Sequence, residues 1–144
     1  MSIKKHIIVM ALLGVYCLIM GSCQTRPAHA EGLEPGKVLI GIVGEAGGLG
    51  IDEQEAIGRA IINRGTFKGV YGYDRASKAI IGLKTRQKAQ KALNQAIRRD
   101  ITGGATHWLS RWDLKHCRPS LIAWRKKMKV ALVTKHFTFY KGEA

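Results

Sequence analysis

Residues 37–64 constrain the fold more than any other stretch, because they contain two helical periods of apolar residues separated by a pair of glycines. The first period follows the spacing of a helix with one buried stripe, at Val38, Leu39, Ile42, Val43 and Ala46. Gly47 and Gly48 end it. The second begins at Asp52, a favourable N-cap that Glu55 can complete as a capping box. Its apolar face consists of Ala56, Ile57, Ala60 and Ile61. We therefore predict a helix hairpin.

Glu45 lies in the last turn of the first predicted helix, three residues after Ile42. This spacing places its side chain on or beside the packed face of the helix. The negative end of the helix dipole and partial burial both disfavour a charged carboxylate at this position, which suits a proton donor. The alternative interpretation is a solvated carboxylate in a frayed last turn. Glu45 is therefore the candidate catalytic residue.

The N-terminus has the pattern of a secretory signal in residues 1–22, where two lysines precede an apolar run that ends at Met20. Two processing sites compete after this run. Residues 20–23 (MGSC) are similar to the lipobox of bacterial lipoproteins, in which Cys23 becomes lipidated, whereas residues 28–30 (AHA) fit ordinary signal peptidase. The lipobox is favoured, because its cysteine directly follows the apolar run. We expect an exported protein, in the periplasm or attached to the outer membrane as a lipoprotein.

The rest of the chain is long enough for one domain with a modest core. Residues 23–36 contain two of the three prolines and are predicted to be a linker, and residues 37–144 are predicted to form the domain. Cysteine usage does not indicate a disulfide framework, since only Cys117 lies in the predicted domain. The candidate metal ligands His107, His116, Cys117 and His136 lack the usual short spacings. We therefore predict no metal and no cofactor.

The chain is strongly basic, with 24 Lys and Arg against 10 Asp and Glu and a formal net charge of +14. Removing the residues before Cys23 takes away Lys4 and Lys5 and leaves +12. A protein of this charge is attracted to polyanions. For an exported protein these are the anionic cell wall and phospholipid head groups, so we expect no nucleic acid among its partners.

The segments after the hairpin indicate a mixed α+β fold. Residues 65–73 space glycines between aromatics, which predicts a structured loop and not a regular element. Residues 86–99 predict a helix with a basic face, opposite an apolar stripe of Ala89, Ala92, Leu93, Ala96 and Ile97. Residues 105–108 predict a short extended segment, and residues 129–141 predict two strands that turn near Thr134 to His136.

Aromatic residues are concentrated in the final third of the chain. Six of the ten lie there, namely Trp108, Trp112, Trp124, Phe137, Phe139 and Tyr140. Aromatic rings on a sheet beside an acidic helix end can stack on the C–H faces of sugar rings. The alternative interpretation is that most of them form the core of a small domain.

Several motifs together resemble the cell wall hydrolase family of spore-cortex lytic enzyme (SleB) type, in its short proteobacterial and phage-like members. Residues 44–46 (GEA) and 53–64 (EQEAIGRAIINR) are similar to the opening motif of this family. Residues 64–72 (RGTFKGVYG) look like a variant of its next segment. Residues 104–108 (GATHW) and 136–140 (HFTFY) are similar to two later segments. The motifs occur in the order of the family and cover nearly the whole predicted domain.

The resemblance implies a small, two-lobed, mainly helical fold related to goose-type lysozyme and the resuscitation-promoting factors, with a short antiparallel β element at the C-terminus. It implies cleavage of the bond between N-acetylmuramic acid and N-acetylglucosamine in peptidoglycan glycan strands, with Glu45 as the catalytic residue. The substrate-binding or supporting residues that it implies are Gln54, Asn63, His107, Trp108 and Tyr140. Asn63 can equally be a structural hydrogen-bonding residue.

Two reactions are compatible with this set of residues. A single acid can protonate the glycosidic oxygen and then, as a carboxylate, deprotonate the hydroxymethyl group of the same sugar, which closes an anhydro ring. Glycoside hydrolysis requires a second carboxylate at a fixed separation. Candidates for it are Asp52, Glu53, Asp100 and Asp113.

The sequence also departs from the family, because residues 64–86 lack its usual Gln-Phe-Ser type motif. Two other functions therefore stay open. One is a non-catalytic basic envelope lipoprotein that binds peptidoglycan or a partner. The other is an exported nucleic-acid-binding protein, for which the charge is suitable but no binding motif is present.

Overall fold

The computed structural model describes residues 32–142. The predicted signal peptide, the lipidation site at Cys23 and the alternative cleavage site at Ala30 lie outside the described residues, together with most of the predicted linker. The first described helix begins at Pro35, close to the predicted start of the domain. Within residues 32–142, no helix combines the length and the apolar content needed to cross a bilayer.

The predicted helix hairpin is confirmed. Helix α1 spans Pro35–Ala46 and helix α2 spans Ile51–Arg64. Pro35 suits the first turn, because the N–H group that it lacks would have no partner within the helix. The apolar faces of the two helices form the centre of the core, and Ile42, Ile57 and Ile61 are fully buried there.

The predicted cap of α2 was wrong. Gly50 occupies the N-cap position without a side-chain hydrogen bond, and Asp52 is an exposed residue of the first turn. Glu55 is fully buried and does not reach back to a cap, because it accepts two hydrogen bonds from Arg99, at 2.7 and 2.9 Å. The acidic start of α2 therefore ties this helix to the end of the next long helix.

A short helix, α3, spans Tyr71–Ser77 in a stretch whose first half was predicted to be a loop. That prediction was wrong because tertiary contact compensates for the low helix propensity of Gly72. The backbone of Gly72 lies directly against that of Gly44 in α1, and a Cβ atom at Gly72 would lie 2.3 Å from the Gly44 carbonyl. Glycine at both positions is therefore required for α3 to cross α1 this closely.

Helix α4 spans Leu83–Arg98 and confirms the predicted third long helix. Its residues Ala89, Ala92, Leu93 and Ala96 are buried, and the helix packs mainly against α2. Ile97 was wrongly included in this stripe and is 41% exposed. It follows Ala96 by one position, which turns its side chain by about 100° away from the packed direction.

A small antiparallel sheet completes the fold and, with the helices, confirms the predicted α+β class. Strand β1 spans His107–Ser110 and leads into helix α5, Arg111–His116. A 3-10 helix follows at Pro119–Lys127, and strands β2, Met128–Val133, and β3, Phe137–Gly142, end the described chain. The strand order is β1-β3-β2, and the predicted hairpin of the last two strands is confirmed.

The two faces of the sheet pack against different partners. Trp108 pairs with Phe139 in the β1–β3 register, and both belong to the core formed with the helices. Their neighbours His107 and Tyr140 pair on the opposite face, because side chains alternate along a strand. On that outer face Tyr140 packs in a second cluster that includes Ile122 of the 3-10 helix. The inner face is therefore the one that meets the end of α1.

Candidate functional site

Glu45 lines an open cleft between the helices and the sheet. The cleft has a volume of about 430 Å³, which lies in the range of small-molecule binding sites. Five elements contribute to it, α1, α3, β1, α5 and β3. Its lining residues are Gly44, Glu45, Tyr71, Gly72, Arg75, Ser110, Asp113 and Phe137.

Two donors from different parts of the fold hold the Glu45 carboxylate. The backbone N–H of Gly72 donates to Oε1 at 2.7 Å, and the indole Nε1–H of Trp108 donates to Oε2 at 3.2 Å. The first bond depends on the glycine contact between α1 and α3, which brings the first turn of α3 next to the last turn of α1. Each carboxylate oxygen retains further lone-pair capacity for a bound molecule.

Trp108 is itself held by Arg64 at the end of α2. The guanidinium lies 4.6 Å from the centre of the indole ring, within cation–π distance. Arg64 Nε donates to the Thr106 carbonyl at 2.6 Å, and its Nη1 donates to the Lys68 carbonyl at 2.9 Å. Burial lowers the pKa of Arg64, and the nearby charge of Glu45 partly opposes this shift. Helix α2 therefore fixes the indole that donates to Glu45.

Asp113 is a second carboxylate in the same cleft. It belongs to α5, where Ser110 and Asp113 form a reciprocal capping box. The Ser110 hydroxyl and backbone N–H donate to Asp113 Oδ2 at 2.7 and 3.0 Å. The other oxygen, Oδ1, accepts a long contact of 3.6 Å from the Cys117 thiol. Asp113 was among the predicted second carboxylates, and it alone of those four lines the cleft.

The other three candidate carboxylates have structural partners or lie in solvent. Asp52 is exposed. Glu53 accepts hydrogen bonds from Thr134 and from the backbone and ring of His136, which attaches the β2–β3 turn to α2. Asp100 accepts from the backbone and hydroxyl of Thr102 and from the backbone N–H of Gly104.

Glu53 and Asp100 have lowered pKa values for similar reasons. Burial raises the pKa of each carboxyl, but hydrogen bonds lower the pKa by more. At Glu53 these bonds come from His136 and Thr134, and at Asp100 they come from Thr102 and Asn63. Asn63 also donates to Thr102 and to the Ala105 carbonyl. Asn63 is therefore a structural hydrogen-bonding residue, which is one of its two predicted roles.

Gln54 does not reach the cleft surface. It is fully buried, and its amide nitrogen donates to the carbonyls of Gly47 and Leu49 at 3.3 and 3.2 Å. These bonds fix the loop between α1 and α2, directly after Glu45. Gln54 therefore supports the end of α1 and is not among the residues that line the cleft.

His107 and Tyr140 lie on the outer face of the sheet, away from the cleft. The His107 ring is 5.0 Å from that of Trp124, and the Tyr140 ring meets Trp124 edge-on at 5.4 Å. Burial lowers the pKa of His107, and the charge of Arg64 adds to this shift. Of the five residues predicted to bind or support substrate, Trp108 is the one that hydrogen-bonds to Glu45. Strict alternation along β1 is the signal that separates Trp108 from His107.

Several cleft residues were not predicted from the sequence. Tyr71 is 90% exposed at the rim, and Arg75 lies one turn later in α3. The sequence signal that could have indicated Tyr71 was its position as an aromatic residue between two glycines, Gly69 and Gly72. Gly72 and Arg64 carry no sequence signal for their roles, since both act through contacts between distant segments.

Within residues 32–142, no group of three or more His, Cys, Asp or Glu side chains is arranged to hold a metal ion. Cys117 is a free, half-buried thiol, and burial raises its pKa.

Comparisons of the chain with protein-family models, curated proteins and solved structures gave no match in any of the three. The resemblance to SleB-type hydrolases therefore rests on the motifs alone.

Proposed function

We propose that the protein cleaves the bond between N-acetylmuramic acid and N-acetylglucosamine in peptidoglycan, with Glu45 as the general acid and base. The observation that carries the proposal is the carboxylate of Glu45 in a cleft, held by the Gly72 N–H and the Trp108 indole. A carboxylate in bulk solvent would be hydrogen-bonded by water, and neither protein donor would fix its orientation. Fixed orientation toward an open volume is what proton transfer to a bound substrate requires.

The cleft has features that suit a glycan. Tyr71 presents an exposed ring at the rim, and stacking of such a ring on a sugar requires no rearrangement. Arg75 supplies hydrogen-bond donors next to it, for sugar hydroxyls or for the acidic peptide stems of peptidoglycan. The volume of about 430 Å³ accommodates part of a glycan, and the open form of the cleft leaves room for the chain to continue.

In the proposed reaction, protonated Glu45 gives its proton to the glycosidic oxygen as the bond breaks. The resulting carboxylate then takes a proton from the nucleophile. If the nucleophile is the hydroxymethyl group of the same sugar, the product is an anhydro sugar. If it is a water molecule positioned by Asp113, the product is the hydrolysed sugar, heavier by one water.

Digestion of purified peptidoglycan by wild type and by Glu45→Gln tests this proposal. The variant retains the size of the side chain but cannot supply the proton, so release of soluble muropeptides should fall roughly 100- to 10,000-fold. Glu34→Gln is the matched control, because Glu34 is exposed and forms an exposed ion pair with Lys37 at 3.1 Å. It should digest at the rate of wild type. Equal release by wild type and Glu45→Gln would reject the assignment.

The second candidate function is a non-catalytic basic lipoprotein that binds peptidoglycan or a partner. It is favoured by the high net charge, which does not depend on the cleft. Under this function Glu45→Gln would bind cell wall sacculi as wild type does, and neither protein would release soluble fragments.

A further inference from the structure

The positive charge of this protein is unevenly distributed over the fold. Residues 105–142, which form the sheet, α5 and the 3-10 helix, contain nine Lys and Arg but one acid, Asp113. Residues 32–104 contain 12 Lys and Arg and seven acids. The sheet lobe, defined as residues 105–142, therefore carries a net charge of +8. The helical part, residues 32–104, is about twice as long and carries a net charge of +5. Asp113 is occupied in capping α5, so it neutralises little of this charge elsewhere.

Large apolar side chains are exposed among these cations. Trp112 of α5 is 65% exposed and Leu121 of the 3-10 helix is 68% exposed. Val130 and Val133 of β2 are 56% and 58% exposed. Burial of four such side chains at an interface would be favourable, whereas their contact with water in the monomer is not.

The four apolar side chains belong to the outer face of the sheet and to the two helices that pack on it. Val130 pairs with Tyr140 and Val133 pairs with Thr138, so both valines point to the outer face of the sheet, on which Tyr140 packs. Helix α5 and the 3-10 helix cover part of this face through Leu114 and Ile122, and they turn Trp112 and Leu121 outward. Exposed Arg111, Lys115, Lys126 and Lys127 belong to the same two helices, and exposed Arg118 lies between them. The outer face therefore combines a cationic surface with protruding apolar side chains.

We propose that this outer face docks on the surface of a phospholipid bilayer that contains anionic head groups. Lysine and arginine side chains are attracted to such head groups, and tryptophan and leucine insert at the boundary between head groups and acyl chains. A soluble polyanion satisfies only the cations, because an aliphatic leucine or valine gains nothing from a charged polymer in water. The combination of both kinds of side chain is what selects a membrane. Apart from Asp113 of α5, the residues that line the cleft lie outside this face.

Hydrogen–deuterium exchange of the full chain, with and without vesicles, tests the proposal region by region. Vesicles of equal parts phosphatidylcholine and phosphatidylglycerol should slow exchange in residues 111–133. Vesicles of phosphatidylcholine alone should not. Because exchange is read by segment, contacts made by residues 1–31 are distinguished from those of the outer face.

Two double variants separate the two contributions. Lys126→Gln with Lys127→Gln should weaken docking of the outer face roughly 30-fold, since each cation near an anionic surface contributes about fivefold. Trp112→Ser with Leu121→Ser should abolish the protection even in low salt. Matched controls on the helical part are Lys84→Gln with Lys91→Gln and Ile80→Ser with Leu83→Ser, which change exposed residues of the same types and should leave protection unchanged.

Unchanged exchange in residues 111–133 on the anionic vesicles would overturn the proposal. It would also be overturned if a soluble polyanion such as heparin gave the same protection, or if the control variants lost protection as fully as the outer-face variants.

Discussion

The contact between Gly44 and Gly72 makes a specific prediction, because the position of the Glu45 carboxylate depends on it. In Gly72→Ala the new Cβ atom would lie 2.3 Å from the Gly44 carbonyl, whereas ordinary contacts begin near 3.4 Å. Helices α1 and α3 must therefore separate by about 1 Å. The nitrogen of Gly72 lies 2.7 Å from Oε1 of Glu45. A further separation of about 1 Å would lengthen this distance beyond the range in which a hydrogen bond forms.

The expected loss of stability follows from three contributions. Overpacking costs about 1–3 kcal/mol, and loss of a hydrogen bond to a charged group costs about 1.5–3 kcal/mol. Replacing glycine by alanine within a helix returns up to about 1 kcal/mol. We therefore expect Gly72→Ala to lower the free energy of unfolding by about 1.5–5 kcal/mol, measured by urea denaturation. Gly44→Ala should behave alike, since its Cβ would lie 2.2 Å from the Gly72 carbonyl oxygen.

Gly48→Ala is the matched control, because a Cβ atom there would meet no atom within 4 Å. Its free energy of unfolding should stay within about 0.5 kcal/mol of wild type. If Gly72→Ala were as stable as Gly48→Ala, the close crossing of α1 and α3 would be refuted, and with it the account of how Glu45 is held.

Three further predictions concern single side chains. Trp108→Phe removes the indole donor to Glu45 but keeps an aromatic ring, so muropeptide release should fall at least about tenfold, the equivalent of one hydrogen bond to a charged group; release at the wild-type rate would contradict this role. The pKa of Glu53 is lowered in the folded state, so its bonds with His136 stabilise the fold fully above the unfolded value near 4.5 and progressively less as the pH falls through the folded value. The difference in unfolding free energy between wild type and Glu53→Gln should therefore shrink in acid, and a difference that is constant with pH would oppose this prediction. Tyr71→Ala should weaken binding of glycan fragments by about 1 kcal/mol, or roughly fivefold, in calorimetric titration, without changing stability; unaltered affinity would place the glycan elsewhere.

The sequence was sufficient to predict those elements that follow local rules. The apolar periods of α1, α2 and α4 and the alternation in β2 and β3 can each be recognised within a short stretch of sequence. The structure contains all five of these elements. The position of Glu45 near the end of α1 also follows from its local period.

The contacts that define the cleft could not be predicted in this way. Glu45 bonds to Gly72 and to Trp108, which lie 27 and 63 residues away along the chain. No local pattern encodes such pairs. Helix α3 contains a glycine in its first turn and is only seven residues long, so its stability comes from packing and not from propensity.

Buried polar residues were the other source of error. Gln54 and Glu55 lie near the start of a helix, where such residues are usually exposed and cap the helix. Both are fully buried here, one holding the preceding loop and the other paired with Arg99. His107, predicted as a substrate-binding or supporting residue, lies on the opposite face of the sheet from Trp108, since adjacent residues of a strand do not share a face.

The most direct measurement of the central claim is the mass and amount of the muropeptides released from purified peptidoglycan by wild type and by Glu45→Gln. We predict that wild type releases fragments ending in an anhydro or a hydrolysed sugar, and that Glu45→Gln releases at least about 100-fold less of the same fragments while remaining folded. Release of the same fragments at the same rate by both proteins would contradict the assignment of Glu45.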